Sequence, residues 1–225
     1  GTMTGGDSGT GQNSITGRLL NRTNVTQSAT YTVVPNILNC GTGAPFTLVI
    51  WVSPTPEVIA LSTVICSGAS FVLNFTNVSN GIVPSNTRYT WGIPTGANIG
   101  GGQAANNQTT INGTLTNGVN ELRTATYLVT PTAGLCNGSQ FSVTVHVNPT
   151  PFISNINTTV CTGSTFTITP VIGGSNIIPN GTLYSWNAPI LENASLTGGQ
   201  AAAFSSTNIA GNISNPTNTT YFAAY

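Results

Sequence analysis

The chain repeats itself, and repetition at a fixed spacing constrains a fold more tightly than any local preference. Ser53-Pro54-Thr55-Pro56 returns as Asn148-Pro149-Thr150-Pro151, 95 residues later. Cys66 and Cys161 stand 95 residues apart, as do Trp91 and Trp186. A third copy lies at the front. Ala29-Thr30-Tyr31-Thr32-Val33 matches Ala125-Thr126-Tyr127-Leu128-Val129, and Cys40 matches Cys136 with one loop residue more. This period is too long for a solenoid coil and fits a sandwich domain of about 100 residues. Residues 1–56 read as the back part of one repeat, 57–151 as a complete repeat, and 152–225 as a repeat lacking its last strand. The expectation is a window on a longer array. The alternative is that strands of one molecule complete another.

Within the repeat the apolar period is two, which is the period of a strand. Phe71, Leu73 and Phe75 form one alternating set, and Tyr89, Trp91 and Ile93 a second. Ile111, Gly113 and Leu115 form a third, and Ala125, Tyr127 and Val129 a fourth. The longest is Phe141, Val143, Val145 and Val147, and a short first strand is expected near Val58–Val64. Asn80-Gly81, Gly100-Gly101-Gly102, Asn117-Gly118 and Asn137-Gly138 separate the sets with turn chemistry. The predicted class is all-β. Each repeat should be an immunoglobulin-like sandwich of about seven strands in two antiparallel sheets, with Trp91 buried between them.

Charge removes several functions. Charged residues make up 4% of the chain, against roughly 25% in an ordinary soluble domain. The cations are Arg18, Arg22, Arg88 and Arg123, and the acids are Asp7, Glu57, Glu121 and Glu192. Net charge is zero and neither sign clusters, so the footprint for nucleic acid or an anionic membrane is missing. No apolar run is long enough to span a bilayer as a helix, so no membrane insertion is expected in this segment. The polar surface must come from threonine, asparagine and serine, which suits work outside a cell.

The order Val-x-Cys-x-Gly-x-x-Phe, Tyr-x-Trp, Ala-Thr-Tyr-x-Val-Thr-Pro and Cys-x-Gly-x-x-Phe-x-Val-x-Val-x-Val-Asn-Pro-x-Pro resembles the PKD-like repeats of Bacteroidota surface proteins. Those include the very large gliding-motility adhesins. The pattern falls on Val64 to Phe71 with one extra residue before Cys66, on Tyr89 and Trp91, on Ala125 to Pro131, and on Cys136 to Pro151. The resemblance implies a cell-surface location reached through the type IX export system.

The four cysteines are Cys40, Cys66, Cys136 and Cys161, and no Cys-x-x-Cys pair marks a zinc site. In an oxidising compartment disulfides are the natural reading. A bond between Cys66 and Cys136 stays inside one repeat, yet a seven-strand sandwich puts those positions at opposite ends. Bonds between neighbouring repeats, a first strand that doubles back, or free thiols are the other readings.

Other candidate chemistry dissolves against the repeat. Gly6-Asp7-Ser8-Gly9 resembles the nucleophile segment of trypsin-like proteases. It coincides with the Gly101-Gly102 turn of the next repeat, which lacks the motif. The sole histidine, His146, alternates with inward valines and is expected to face solvent, without companion ligands. Gly100-Gly101-Gly102-Gln103 lacks the ending of a phosphate loop and recurs as Gly198-Gly199-Gln200. The acids are too scattered for a calcium site. Asn-x-Ser/Thr triplets are numerous, as this composition makes inevitable. No cofactor, metal or catalytic residue is expected, and the chain is read as not an enzyme.

One departure from the repeat is informative. Trp51 stands where the next copy has His146. Phe46, Leu48, Ile50 and Val52 should face in, leaving Val49 and Trp51 outward as a contact surface. The expected partners are neighbouring repeats of the same chain, other copies of it, or surface polysaccharide. The expected function is a structural segment of an extracellular adhesin, stalk or fibre. The alternatives are a carbohydrate- or protein-binding module, or a non-catalytic spacer of a secreted enzyme.

Overall fold

A computed structural model describes residues 2–225, apart from the side chains of Phe204 and Ser205. Its regular elements are all strands. The complete repeat holds two facing sheets. The larger runs, in spatial order, through Ala105–Gln108, Thr87–Trp91, Arg123–Ala133, Phe141–Asn148 and Leu61–Cys66, with Cys136–Asn137 attached to the third. The smaller sheet runs through Ile99–Gly101, Ile111–Asn117 and Ser70–Leu73. The all-β sandwich is therefore as expected.

Alternation makes the core. Phe141, Val143, Val145 and Val147 project to one face and are buried, while Ser142, Thr144 and His146 project to the other. Ala125, Tyr127 and Val129 line up beside them, directly opposite Val145, Val143 and Phe141. The facing sheet contributes Ile111, Leu115 and Phe71, and Trp91 is buried in the same cluster. Its indole N–H donates to the carbonyl of Gln103 at 3.0 Å, which removes the cost of burying that donor. Gly113 is bare for a reason. The ring edge of Phe71 and the hydroxyl of Tyr127 approach to 3.3 and 3.1 Å of where its Cβ would stand. Those two rings meet edge-on at 5.9 Å.

Three expectations need correction. The first strand is not antiparallel: Leu61–Cys66 runs parallel to Phe141–Asn148, in register from Leu61 opposite Val143 to Cys66 opposite Asn148. Glu57–Val58, just before it, pairs separately with Gly81–Ile82. Ile93 does not continue the set of Tyr89 and Trp91. The strand ends at Trp91, Gly92-Ile93-Pro94 turns away, and Ile93 is exposed. Phe46 and Ile50 are exposed rather than buried. Their strand, Phe46–Val52, pairs with Gln27–Val33 alone. The opposing layer is limited to the short pair Met3–Gly5 and Leu19–Asn21.

The rear copy repeats the details. Trp186 donates its indole N–H to Gln200 at 2.9 Å, as Trp91 does to Gln103. Phe166 meets Tyr225 edge-on at 5.7 Å, as Phe71 meets Tyr127. Thr165–Ile168 pairs with Ile209–Ser214, as Ser70–Leu73 pairs with Ile111–Asn117.

Burial pushes the Tyr89 phenol up from 10.0 to about 12. Its folded value lies above its unfolded one, so the neutral phenol contributes stability that is fully present below pH ~10 and is lost as pH rises toward ~12. Spectrophotometric titration near 295 nm should show Tyr89 resisting ionisation until the chain unfolds. Reversible ionisation near its ordinary value in folded protein would contradict the buried placement.

Candidate functional site

The element that recurs most faithfully is an asparagine at the distal end of each copy, buried in the front and complete copies and half-buried in the rear one. Asn117 ends the strand Ile111–Asn117 and is almost fully buried, at 2% exposure. Its side-chain NH2 donates to the carbonyl of Glu121 at 2.7 Å and to that of Val147 at 2.8 Å. Its Oδ1 accepts from the Val119 N–H at 3.1 Å. One carboxamide thus closes the loop 118–121 and pins the last strand to the facing sheet. It uses both donors, so nothing polar is left unpaired there.

Asn21 does the same 96 residues earlier. It donates to Val25 at 2.8 Å and to Val52, the counterpart of Val147, at 2.7 Å. In the rear copy Asn215 donates to Thr219 at 2.8 Å. A hydroxyl braces the clamp from outside. Ser67 Oγ accepts the Asn117 N–H at 2.9 Å, and Thr162 Oγ1 accepts the Asn215 N–H at 2.7 Å. Asn21 also belongs to an Asn-x-Thr triplet, but its amide is buried at 6% exposure and fully engaged, so it is no glycan acceptor.

Linker and clamp meet at the junction. Ser67 N–H donates to Asn148 at 2.7 Å, and Thr150 Oγ1 donates to Ser67 at 3.0 Å. The linker prolines Pro54 and Pro56 are buried where they enter the complete repeat. A Cβ on Gly138 would stand 2.1 Å from the Pro56 carbonyl oxygen, so only glycine lets the last hairpin close over the linker. Asn120 Oδ1 accepts from the Ile178 N–H across the second junction. Each junction opens a cleft of about 500 Å³. One is walled by Asn24, Val25, Pro54, Ser85 and Cys136, the other by Asn120, Glu121, Pro179 and Asn180.

Asp7 and Ser8 are exposed on the front segment, and His146 lies on the outer face of the complete repeat. His146 is half-buried rather than freely exposed, because Thr124 Oγ1 lies 3.1 Å from its Nδ1 and the parallel first strand flanks it. Val49 and Trp51 are exposed, at 45% and 71%, on the outward face of their strand. Among the described residues no group of three His, Cys, Asp or Glu could hold a metal. Among the described residues no helix is long and apolar enough to cross a membrane.

All four cysteines are free thiols. Cys136 pairs with Ala133 at one end of the strand Arg123–Ala133. Cys66 pairs with Asn148, one residue beyond the Val147 that faces Arg123 at the other end. Eleven residues of strand span about 36 Å, and a disulfide needs Cα atoms within about 7 Å. The fold therefore excludes the bond inside one repeat, and the first strand does not double back to permit it.

These features define a tandem array of immunoglobulin-like sandwiches with a built junction. The family model of the PKD-like domain matches residues 2–56 and 63–151, more than half of the chain, and the chain belongs to that family. Such domains are structural or binding modules, typically of extracellular and surface proteins. No curated protein and no solved structure matches the chain.

The clamp predicts a measurable cost. Asn117→Ala leaves the carbonyls of Glu121 and Val147 without donors, at on the order of 1–3 kcal/mol for each unsatisfied buried group. Urea unfolding of the chain should lose about 2–4 kcal/mol from the transition of the complete repeat. Asn117→Asp should lose at least as much, because a carboxylate donates nothing. An unchanged midpoint in both variants would remove the clamp from the account.

Proposed function

We propose that this chain is a structural repeat segment of a long surface adhesin, stalk or fibre, of the kind Bacteroidota export through the type IX system. It carries no chemistry of its own. The observation that carries this reading is the built junction. An asparagine clamp holds the end of each copy, a Pro-x-Pro linker follows it in the front and complete copies, and Gly138 over Pro56 and Asn120 with Ile178 make the contacts across the two junctions. Proline fixes φ and stiffens a connection, so Pro54 and Pro56, buried at the first junction, set an angle there, while Pro149 and Pro151 stiffen the second linker.

The surface supports the same role. One ion pair, Arg123 with Glu121 at 3.1 Å, joins charged side chains among the described residues. An exposed pair of this kind is worth less than about 1 kcal/mol. Stability therefore rests on apolar burial and uncharged hydrogen bonds, which salt and mild pH changes barely touch.

A rod is the expected shape. The long strand of the complete repeat gives an increment of roughly 35–40 Å per repeat. Small-angle scattering and negative-stain images of chains with differing repeat number should show length growing in those steps at constant cross-section. Compact particles, or freely jointed beads, would overturn the proposal.

A second reading rests on Trp51, which is too exposed to be serving a core. An exposed indole beside Val49 presents a flat apolar face of the type that stacks on a sugar ring. Trp51→Ser should leave the unfolding midpoint unchanged and abolish retention on a polysaccharide column. Equal retention of the variant would discard this surface.

A further inference from the structure

We infer that the cysteines form a ladder of disulfides between successive repeats, joining the early cysteine of one repeat to the late cysteine of the next. This goes beyond the mechanical role proposed above and rests only on the repeat geometry. Cys66 and Cys161 are early cysteines, each on or just before the first sheet strands of its copy. Cys40 and Cys136 are late cysteines, each in the last hairpin.

The placement comes from one shared carbonyl. Cys136 Sγ lies 4.0 Å from the carbonyl oxygen of Ser53, the last residue before the linker prolines of the preceding repeat. Ser53 is the counterpart of Asn148, 95 residues on. The Asn148 carbonyl accepts the N–H of Ser67 at 2.7 Å, and Asn148 is the direct strand partner of Cys66. So the carbonyl that a late cysteine touches in the repeat before it is the one beside which that repeat's early cysteine sits. Neighbouring strands lie about 4.8 Å apart, which brings the two cysteines within the reach of a disulfide. Cys66 is exposed and Cys136 half-buried in the wall of the junction cleft, so both can be reached by a reagent.

The pairing accounts for the four free thiols. An early cysteine in the front repeat and a late one in the rear repeat are the complements of Cys136 and Cys66, and neither position falls within these 225 residues. No two of the four cysteines stand in the required relation.

Bond formation is thiol–disulfide exchange with an oxidised dithiol carrier, protein or small molecule. The thiolate of the early cysteine attacks one carrier sulfur and forms a mixed disulfide, releasing the first carrier thiolate. The late cysteine's thiolate then attacks the sulfur of the early one. An S–S bond forms between repeats, the second carrier thiolate leaves, and both protons pass to solvent or carrier. Two electrons move from the cysteines to the carrier, which departs as its dithiol. The outcome is a second covalent link across the junction, in addition to the backbone.

The test uses the 225-residue chain and a version with residues 57–151 duplicated in place, both equilibrated with glutathione disulfide. The chain itself should keep four alkylatable thiols. The duplicated chain should lose two, and non-reducing peptide mapping should join Cys66 of the first copy to Cys136 of the second. Cys66→Ser in the first copy should leave Cys136 of the second copy alkylatable without altering circular dichroism. A bond between Cys66 and Cys136 of one copy would overturn the inference. So would a natively folded duplicated chain that keeps all its thiols.

Discussion

The structure depends on a carboxamide that donates two hydrogen bonds where strand, loop and linker converge. A chain with 4% charged residues has few ion pairs to use. It also has little scope for charge-assisted bonds, so it must order its strand ends with neutral groups. Asn117 satisfies carbonyls from two segments at once, and the dry surroundings strengthen each bond while making its loss expensive. Once the last strand is held there, the linker that follows starts from a fixed position.

From that point the geometry propagates. Ser67 holds Asn148, Thr150 holds Ser67, and Asn120 reaches across to Ile178. Gly138 provides the clearance that lets the preceding linker lie under the last hairpin. The repeat is thus both a sandwich with its own apolar core and a connector. Its core residues run from Val58 to Val147, while the connector residues lie at the two ends of the sheets. Packing sets the stability of each unit and the polar ends set the relation between units.

Much of the sandwich was legible in the sequence. Alternation placed Phe141, Val143, Val145 and Val147 inside, and the 95-residue offsets announced repeated domains. Strand direction was not legible. Alternation is the same for parallel and antiparallel neighbours, so nothing in Leu61–Cys66 revealed its parallel pairing with Phe141–Asn148. Ile93 misled because its spacing continued a set that Gly92 and Pro94 interrupt. The clamp was hidden for a different reason. Asn117-Gly118 carries ordinary turn chemistry, and the signal separating a clamp from a turn was its recurrence as Asn21 and Asn215, neither followed by glycine. Bonds between neighbouring repeats were one of several readings of the cysteines in the sequence, and the contact of Cys136 with Ser53 is what singles out which cysteine faces which.

The central claim is that the asparagine carboxamides are buried hydrogen-bond donors and not surface side chains. Amide-edited NMR of the 15N-labelled chain in heavy water tests this directly. The account predicts side-chain NH2 signals of Asn21 and Asn117 that persist long after those of exposed asparagines have vanished, with scalar couplings to the carbonyls of Val52 and Val147. Carboxamide protons at those two positions that exchange as fast as those of surface asparagines such as Asn106 would contradict it.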